Sequence, residues 1–301
     1  MARNRETNGV LLTMAGAMCF GTGAVIIKTA YKLQLTGWEF ISLQLFFSSL
    51  LLMTIYLVRR KQGLETPPSR QKLSRLAVLG SLGTLGGTAF YTLGLQYVGA
   101  SVGIVLFYTY PAWTALGAGI FYQQKLRWKH YLCLALTLVG TVFTIDFWNI
   151  NLAAIPPLGV VLLFGSAICY SFFTLSGEKY LAEYSSIEIT AFTQSFAFLA
   201  FSLFKPPTFL LQVSMYALAL GLIMALFTSV FSYWLVLKGI AIIGASKAAI
   251  ISTFEIPFTI FLAILLLGER LTLYQFIGGA LIICSIIFLD IKEKDAEVLV
   301  N

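Results

Sequence analysis

The sequence predicts an all-α membrane protein: ten transmembrane helices arranged as two inverted five-helix repeats, with both termini in the cytoplasm. Three observations carry that expectation. Of the 301 residues, 58% are hydrophobic and 11% charged, with a mean hydropathy of +0.87; a soluble domain carries about 25% charged residues. The charges sit in short clusters between long apolar runs. Several motifs of the first half also return 145 positions later, as Gly99-Ala100-Ser101 does at Gly244-Ala245-Ser246.

The apolar runs cover about 8–30, 38–58, 75–97, 100–122, 130–147, 158–177, 187–205, 213–237, 244–267 and 272–290. A helix needs about 20 apolar residues to cross about 30 Å of hydrocarbon. Ten such spans use up the chain and leave no room for a soluble domain. The runs are too uniformly apolar for the alternating pattern of a membrane barrel, and a helix satisfies its own backbone groups in lipid. The first run follows Arg3 and Arg5, as a signal peptide would. It is long for that role and lacks a convincing cleavage sequence, so it reads as the first span. The loop around 59–74, with Pro67 and Pro68, is basic and is expected on the cytoplasmic surface near anionic headgroups.

Lys and Arg set the orientation. With the N-terminus inside and the spans alternating, the inner segments hold 16 basic residues, and the outer ones hold 4: Lys28, Lys32, Lys205 and Arg270. The net charge of +7 therefore marks topology, and no continuous basic face suggests nucleic acid. Cys19, Cys133, Cys169 and Cys284 all lie inside apolar runs, at spacings that suit neither a disulfide framework nor a metal. They read as small packing residues, and no cofactor or metal is expected.

The internal repeat divides the chain into 8–147, 158–291 and a polar tail, 292–301. Gln124-Lys125-Leu126 returns as Glu269-Arg270-Leu271, Pro111 as Pro257, and Ala17-Met18-Cys19-Phe20 as Ala167-Ile168-Cys169-Tyr170. A repeat with an odd number of spans must re-enter the membrane upside down, a recurring device among transporters.

Within this frame, Glu255 is the sharpest candidate for substrate binding or proton coupling. It falls near the middle of the ninth run, where a charge costs about 2.5–3.5 kcal/mol and ordinarily faces a cavity; a hydrogen bond to a neighbouring helix is the plainer alternative. Pro111 and Pro257 are expected to kink their helices, either as hinges or for packing. Tyr108, Tyr110 and Trp113 crowd the first proline, with Tyr91 and Trp234 in runs three and eight, and aromatic residues with polar tips can line a pocket. Gln44 and Gln194 lie at matching depths; interhelical bonding suits them better than substrate contact. Lys28, near the outer end of run one, is explained by snorkelling or by pairing with substrate or a carboxylate. Glu178, near the inner end of run six, carries the same two readings.

Two rival functions are weaker. Gly99-Ala100-Ser101-Val102-Gly103 fits a hydrolase nucleophile pattern, but the single histidine, His130, belongs to the opposite membrane side, out of reach of Ser101. Gly239 to Lys247 has the wrong spacing for a phosphate loop. A channel would need a filter-like segment, and none is visible.

The segments Ser252-Thr253-Phe254-Glu255-Ile256-Pro257 and Leu265-Leu266-Leu267-Gly268-Glu269-Arg270-Leu271, then Gly278-Gly279, with Tyr108-Thr109-Tyr110-Pro111-Ala112 in the first half, carry a family resemblance. The chain is similar to the EamA-like transporters of the drug/metabolite transporter superfamily, over essentially its whole length. Two departures stand out: Gln123-Gln124-Lys125 replaces the Gly-Glu turn in the first half, and Ile256 separates Glu255 from Pro257. The resemblance implies a central cavity lined mainly by helices 1, 3, 4, 6, 8 and 9. It also implies export of a small organic metabolite from a multi-pass protein of a bacterial plasma membrane. An amino acid or amine is the expected substrate class, protons are a candidate coupling ion, and a monomer would suffice.

Overall fold

The computed structural model describes residues 2–32, 35–98, 100–124, 127–145, 156–211, 213–267 and 272–298. Among them there is helix and no strand. Seven helices are long and apolar enough to cross a membrane, and a shorter apolar stretch spans Leu273–Leu289. Large apolar side chains such as Ile120, Phe121, Leu203 and Phe204 stand exposed on the outside, at 73–86%. In water that would be an aggregation surface; in lipid it is the solvent-facing surface.

The helices in chain order are α1 (Ala2–Lys32), α2 (Gly37–Lys61), α3 (Arg70–Val78), α4 (Gly86–Tyr97), α5 (Ala100–Phe107), α6 (Tyr110–Phe121) and α7 (Trp128–Thr144). The second half follows with α8 (Pro157–Tyr180), α9 (Ser186–Phe204), α10 (Met215–Met224), α11 (Ser232–Ile243), α12 (Ala245–Ser252), α13 (Glu255–Leu267) and α14 (Leu273–Val298). Two seven-residue π-helical segments, Leu79–Leu85 and Ala225–Phe231, join α3 to α4 and α10 to α11. Two-residue turns at Tyr108-Thr109 and Thr253-Phe254 interrupt α5–α6 and α12–α13. Each half thus repeats one order: two long helices, one with a central π segment, one broken in the middle, and a final straight helix.

Local signals set the ends. Ser69, Ser185 and Ser214 cap α3, α9 and α10 by accepting a backbone N–H three residues on. Thr36 and Glu39 form a full capping box at the start of α2. The basic loop before α3 is not a loose tether: Arg59 pairs with Glu65 at 3.0 Å, and Tyr56 donates to the carbonyl of Thr66.

The prolines differ from their expected role. They do not bend continuous helices. Each helix stops and restarts, with Pro111 and Pro257 in the first turn of α6 and α13. The missing N–H of proline is harmless there, since first-turn donors have no intrahelical partner, so the disruption falls on the two residues before each helix begins.

Packing is mostly between halves. α1 lies on α11, α4 on α8, α2 on α9 and α7 on α14. Exchanging the halves exchanges the first two pairs and returns the last two to themselves. Small residues permit the close approaches. A Cβ on Gly83 would meet Phe173 at 3.1 Å, and one on Gly94 would meet Leu163 at 2.6 Å, so the first π segment and α4 both pack closely on α8. Gly140 and Gly278 do the same for α7 and α14, which Thr137 and Ser285 also bridge at 3.1 Å. Of the cysteines, Cys133 is buried and bonds the carbonyl of Ser285, whereas Cys284 is exposed, contrary to the packing role expected of it.

Candidate functional site

Glu255 is the first residue of α13, immediately after the break. A carboxylate in a first helical turn faces the positive end of the helix dipole, which offsets part of the cost of holding it in an apolar interior. α1 crosses close to this point because Gly21 has no side chain: a Cβ there would lie 3.3 Å from the carbonyl oxygen of Glu255. Thr259 fixes the crossing by donating to the carbonyl of Gly21 at 3.2 Å.

As a residue Glu255 is half-buried. The hydroxyl of Tyr108, in the break of the first half, stands beside it, close enough to interact. Tyr110, Tyr170 and Tyr233 stand close enough to feel its charge. Their rings, with Phe107 and Phe173, form a continuous aromatic wall: Tyr110 meets Tyr170 edge-on at 4.8 Å, Phe107 meets Tyr108 at 5.6 Å, and Phe173 meets Tyr233 at 5.0 Å. Phe20 of α1 closes it against Tyr233 at 5.3 Å, and Tyr91 of α4 joins through Phe107 at 5.2 Å. Ser171 holds the first break by donating to the carbonyl of Tyr110 at 2.8 Å, while the Tyr110 hydroxyl reaches the carbonyl of Ala249 in α12 at 3.3 Å. The two breaks are therefore tied crosswise, and one carboxylate and several phenols share one region.

Of the candidates drawn from the sequence, Glu255, Tyr108, Tyr110 and Tyr91 come together here, and Pro111 and Pro257 lie in the helices that begin here. The others go elsewhere. Trp113 is 39% exposed and donates to Thr109, in the break just before its own helix. Gln44 donates to Thr228 at 3.0 Å and Ser229 at 3.2 Å in the second π segment, and Gln194 accepts from Ser48 at 3.3 Å, so both amides tie helices together. Trp234 lies elsewhere, on a cavity beside Lys238. Lys28 is in α1, but its side chain lies outside the described residues.

Sequence reasoning missed Phe20, Phe107, Tyr170 and Tyr233. One signal was present: the repeated Ala-x-Cys-aromatic motif ends in Phe20 in one copy and Tyr170 in the other, and these two rings meet at 6.5 Å. Glu178 has a structural partner. Its carboxylate accepts the backbone N–H of Ala245 at 2.9 Å, capping α12 from a neighbouring helix. In the turn after α6, burial and then the nearby Glu178 push the Tyr122 phenol up to about 12. Gln123 beside it has φ 52°, the left-handed conformation. The second copy has Gly268 at the corresponding position, 145 residues on.

Comparison with known proteins bears on this geometry. The model of the EamA-like transporter family matches the chain twice, at residues 7–145 and 157–290. An uncharacterized transporter of Synechocystis is 29% identical, covering 96% of this chain and 95% of its own. An uncharacterized inner membrane transporter of Salmonella typhimurium is 24% identical over 95% and 96% of the two chains. An uncharacterized transporter of Bacillus subtilis is 27% identical over 90% and 88%. One solved crystal structure superimposes with a TM-score of 0.76 at 15% identity, covering 94% of this chain and 96% of that one; it shares the fold.

Proposed function

Because the chain belongs to the EamA-like transporter family, we propose that this membrane protein exports a small organic metabolite by alternating access through the pocket around Glu255. One observation carries the reading: a single carboxylate at a helix break, faced by the Tyr108 hydroxyl and ringed by tyrosines from both halves. A carboxylate can bind an ammonium group or a proton, and the phenols supply both faces for an apolar body and hydroxyls for its polar edge. An amino acid or amine suits that lining, with proton exchange on Glu255 as the coupling step.

The wider architecture is read as ten spans in two inverted repeats with both termini cytoplasmic. The matched order of elements in each half, the exchange of helix pairs and the 16-to-4 distribution of basic residues support it. In such an arrangement the two halves can trade conformations and open the shared pocket to either side. A bacterial plasma membrane suits the organisms of the relatives. The test is reconstitution in proteoliposomes with labelled amino acids and amines. Exchange stimulated by substrate on the far side, with a pH dependence that disappears in Glu255→Gln, is the expected result. Unitary currents, or transport by Glu255→Gln indistinguishable from the parent, would overturn the reading.

A further inference from the structure

A cavity of about 370 Å³ lies between α1, α2, the start of α9 and α11, away from Glu255. Its polar lining is made of donors: Arg59, Lys238, Trp234, Ser185 and Ser186, with none of its lining residues acidic. Lys238 places its ammonium 4.1 Å from the centre of the Trp234 ring. The indole N–H of Trp234 is buried and has no hydrogen-bond partner, although a buried donor ordinarily finds one. Arg59 is steadied by its bond to Glu65 through Nε. The remaining wall, including Leu12 and Ile242, is apolar. The cavity thus offers two cations and an unused N–H beside a greasy surface.

The repeat shows that packing does not require these groups. The residues 145 or 146 positions before Trp234 are Ala89 and Thr88, and those before Lys238 are Leu93 and Thr92. The first-half copy of the helix therefore folds without a tryptophan or a cation at this place. The cavity also opens at the end of the bundle that carries most of the basic residues, the end read above as cytoplasmic, where anionic headgroups collect.

We propose that this cavity binds a phosphate group carried on an apolar body, with Lys238 and Arg59 meeting the charge, the Trp234 N–H donating to a phosphate oxygen, and the apolar wall taking the chain. The source can be a membrane lipid or a soluble phosphate ester, and both are tested. The full-length protein in neutral detergent is titrated by native mass spectrometry with dioctanoyl phosphatidylglycerol, dioctanoyl phosphatidylcholine and glycerol 3-phosphate. Phosphatidylglycerol is expected to bind about tenfold more tightly than phosphatidylcholine, and Lys238→Gln to lose about that factor, as for one charge-assisted hydrogen bond. Lys238→Arg should retain binding, and Trp234→Phe, which keeps the ring and removes the N–H, should lose about threefold. Glycerol 3-phosphate binding as tightly as the lipid would assign the site to a soluble ester. Affinities for all three probes that are unchanged in both Lys238→Gln and Trp234→Phe would overturn the proposal, as would no preference for either anionic probe over phosphatidylcholine. If Lys238→Gln fails to fold, Trp234→Phe decides alone. Glu255→Gln should bind the lipid like the parent, which separates this site from the transport pocket.

Discussion

Tyr110 and Glu255 occupy the same place in two copies of one structure. Each is the first residue after a two-residue break, each is followed within two positions by a proline, and 145 residues separate them. The backbone solution is shared because its cause, a proline in a first turn, is shared. The side chains differ in what they can do. Tyr110 is buried and spends its hydroxyl on the carbonyl of Ala249, so it ties the halves together. Glu255 is half-buried as a residue and faces the hydroxyl of Tyr108 from the opposite break. A duplicated scaffold thus keeps its geometry in both copies and concentrates charge in one, and the transport chemistry is expected to follow the charged copy.

The largest effect should come from removing that charge. Glu255→Gln is expected to lower transport by at least about a hundredfold and to flatten its pH profile, as for losing a charged contact made in the working cycle; Tyr110→Phe should mainly lower stability. Equal losses in initial rate for the two variants would erase the functional difference between the copies. The turns offer a second contrast. Gly244, with φ 79°, stands in a region open almost only to glycine, and Gly244→Ala should destabilise the protein by about 2 kcal/mol, read as a lower thermal midpoint in detergent.

A third, smaller effect separates the breaks themselves. Tyr108→Phe removes the hydroxyl beside Glu255 and should reduce transport about tenfold. Thr253→Val at the matching position should leave it within about twofold, because Thr253 bonds only the carbonyl of Ile250 in the helix before it. Comparable losses would argue that the breaks matter for shape and not for chemistry. The smallest effect concerns Gln123, which holds a left-handed conformation where the other copy has glycine. Gln123→Gly should raise stability by about 1 kcal/mol, seen in the same thermal measurement with transport unchanged.

Much of this was legible in the chain. Two copies of a helical membrane unit follow from apolar runs, charge clusters and repeated motifs. Pro111 and Pro257 located the breaks to within three residues, because the proline ring acts on its own backbone. Glu255 stood out because a charge deep in an apolar run needs a reason. Trp234 did not join it, and Gln44 and Gln194 were turned to interhelical bonds. The sequence could not decide which way these side chains face. In a soluble helix the polar face marks the outside; here the lipid-facing and core-facing sides are both apolar, so no periodic contrast fixes the rotation of a helix.

By itself, then, the sequence determined the solvent, the helical class, the duplication, the break points and the one deep acid, since each is a property of a residue and its own backbone. The tertiary structure decided which rings gather around that acid. Phe20, Phe107, Tyr170 and Tyr233 come from four helices, and close approaches at Gly16, Gly239 and Gly177 help bring α1, α8 and α11 together. It also decided that Trp234 stands with Lys238 over a separate cavity. Such choices rest on how helices rotate and cross, and that is settled by the packing of small residues against a partner helix far away in the chain.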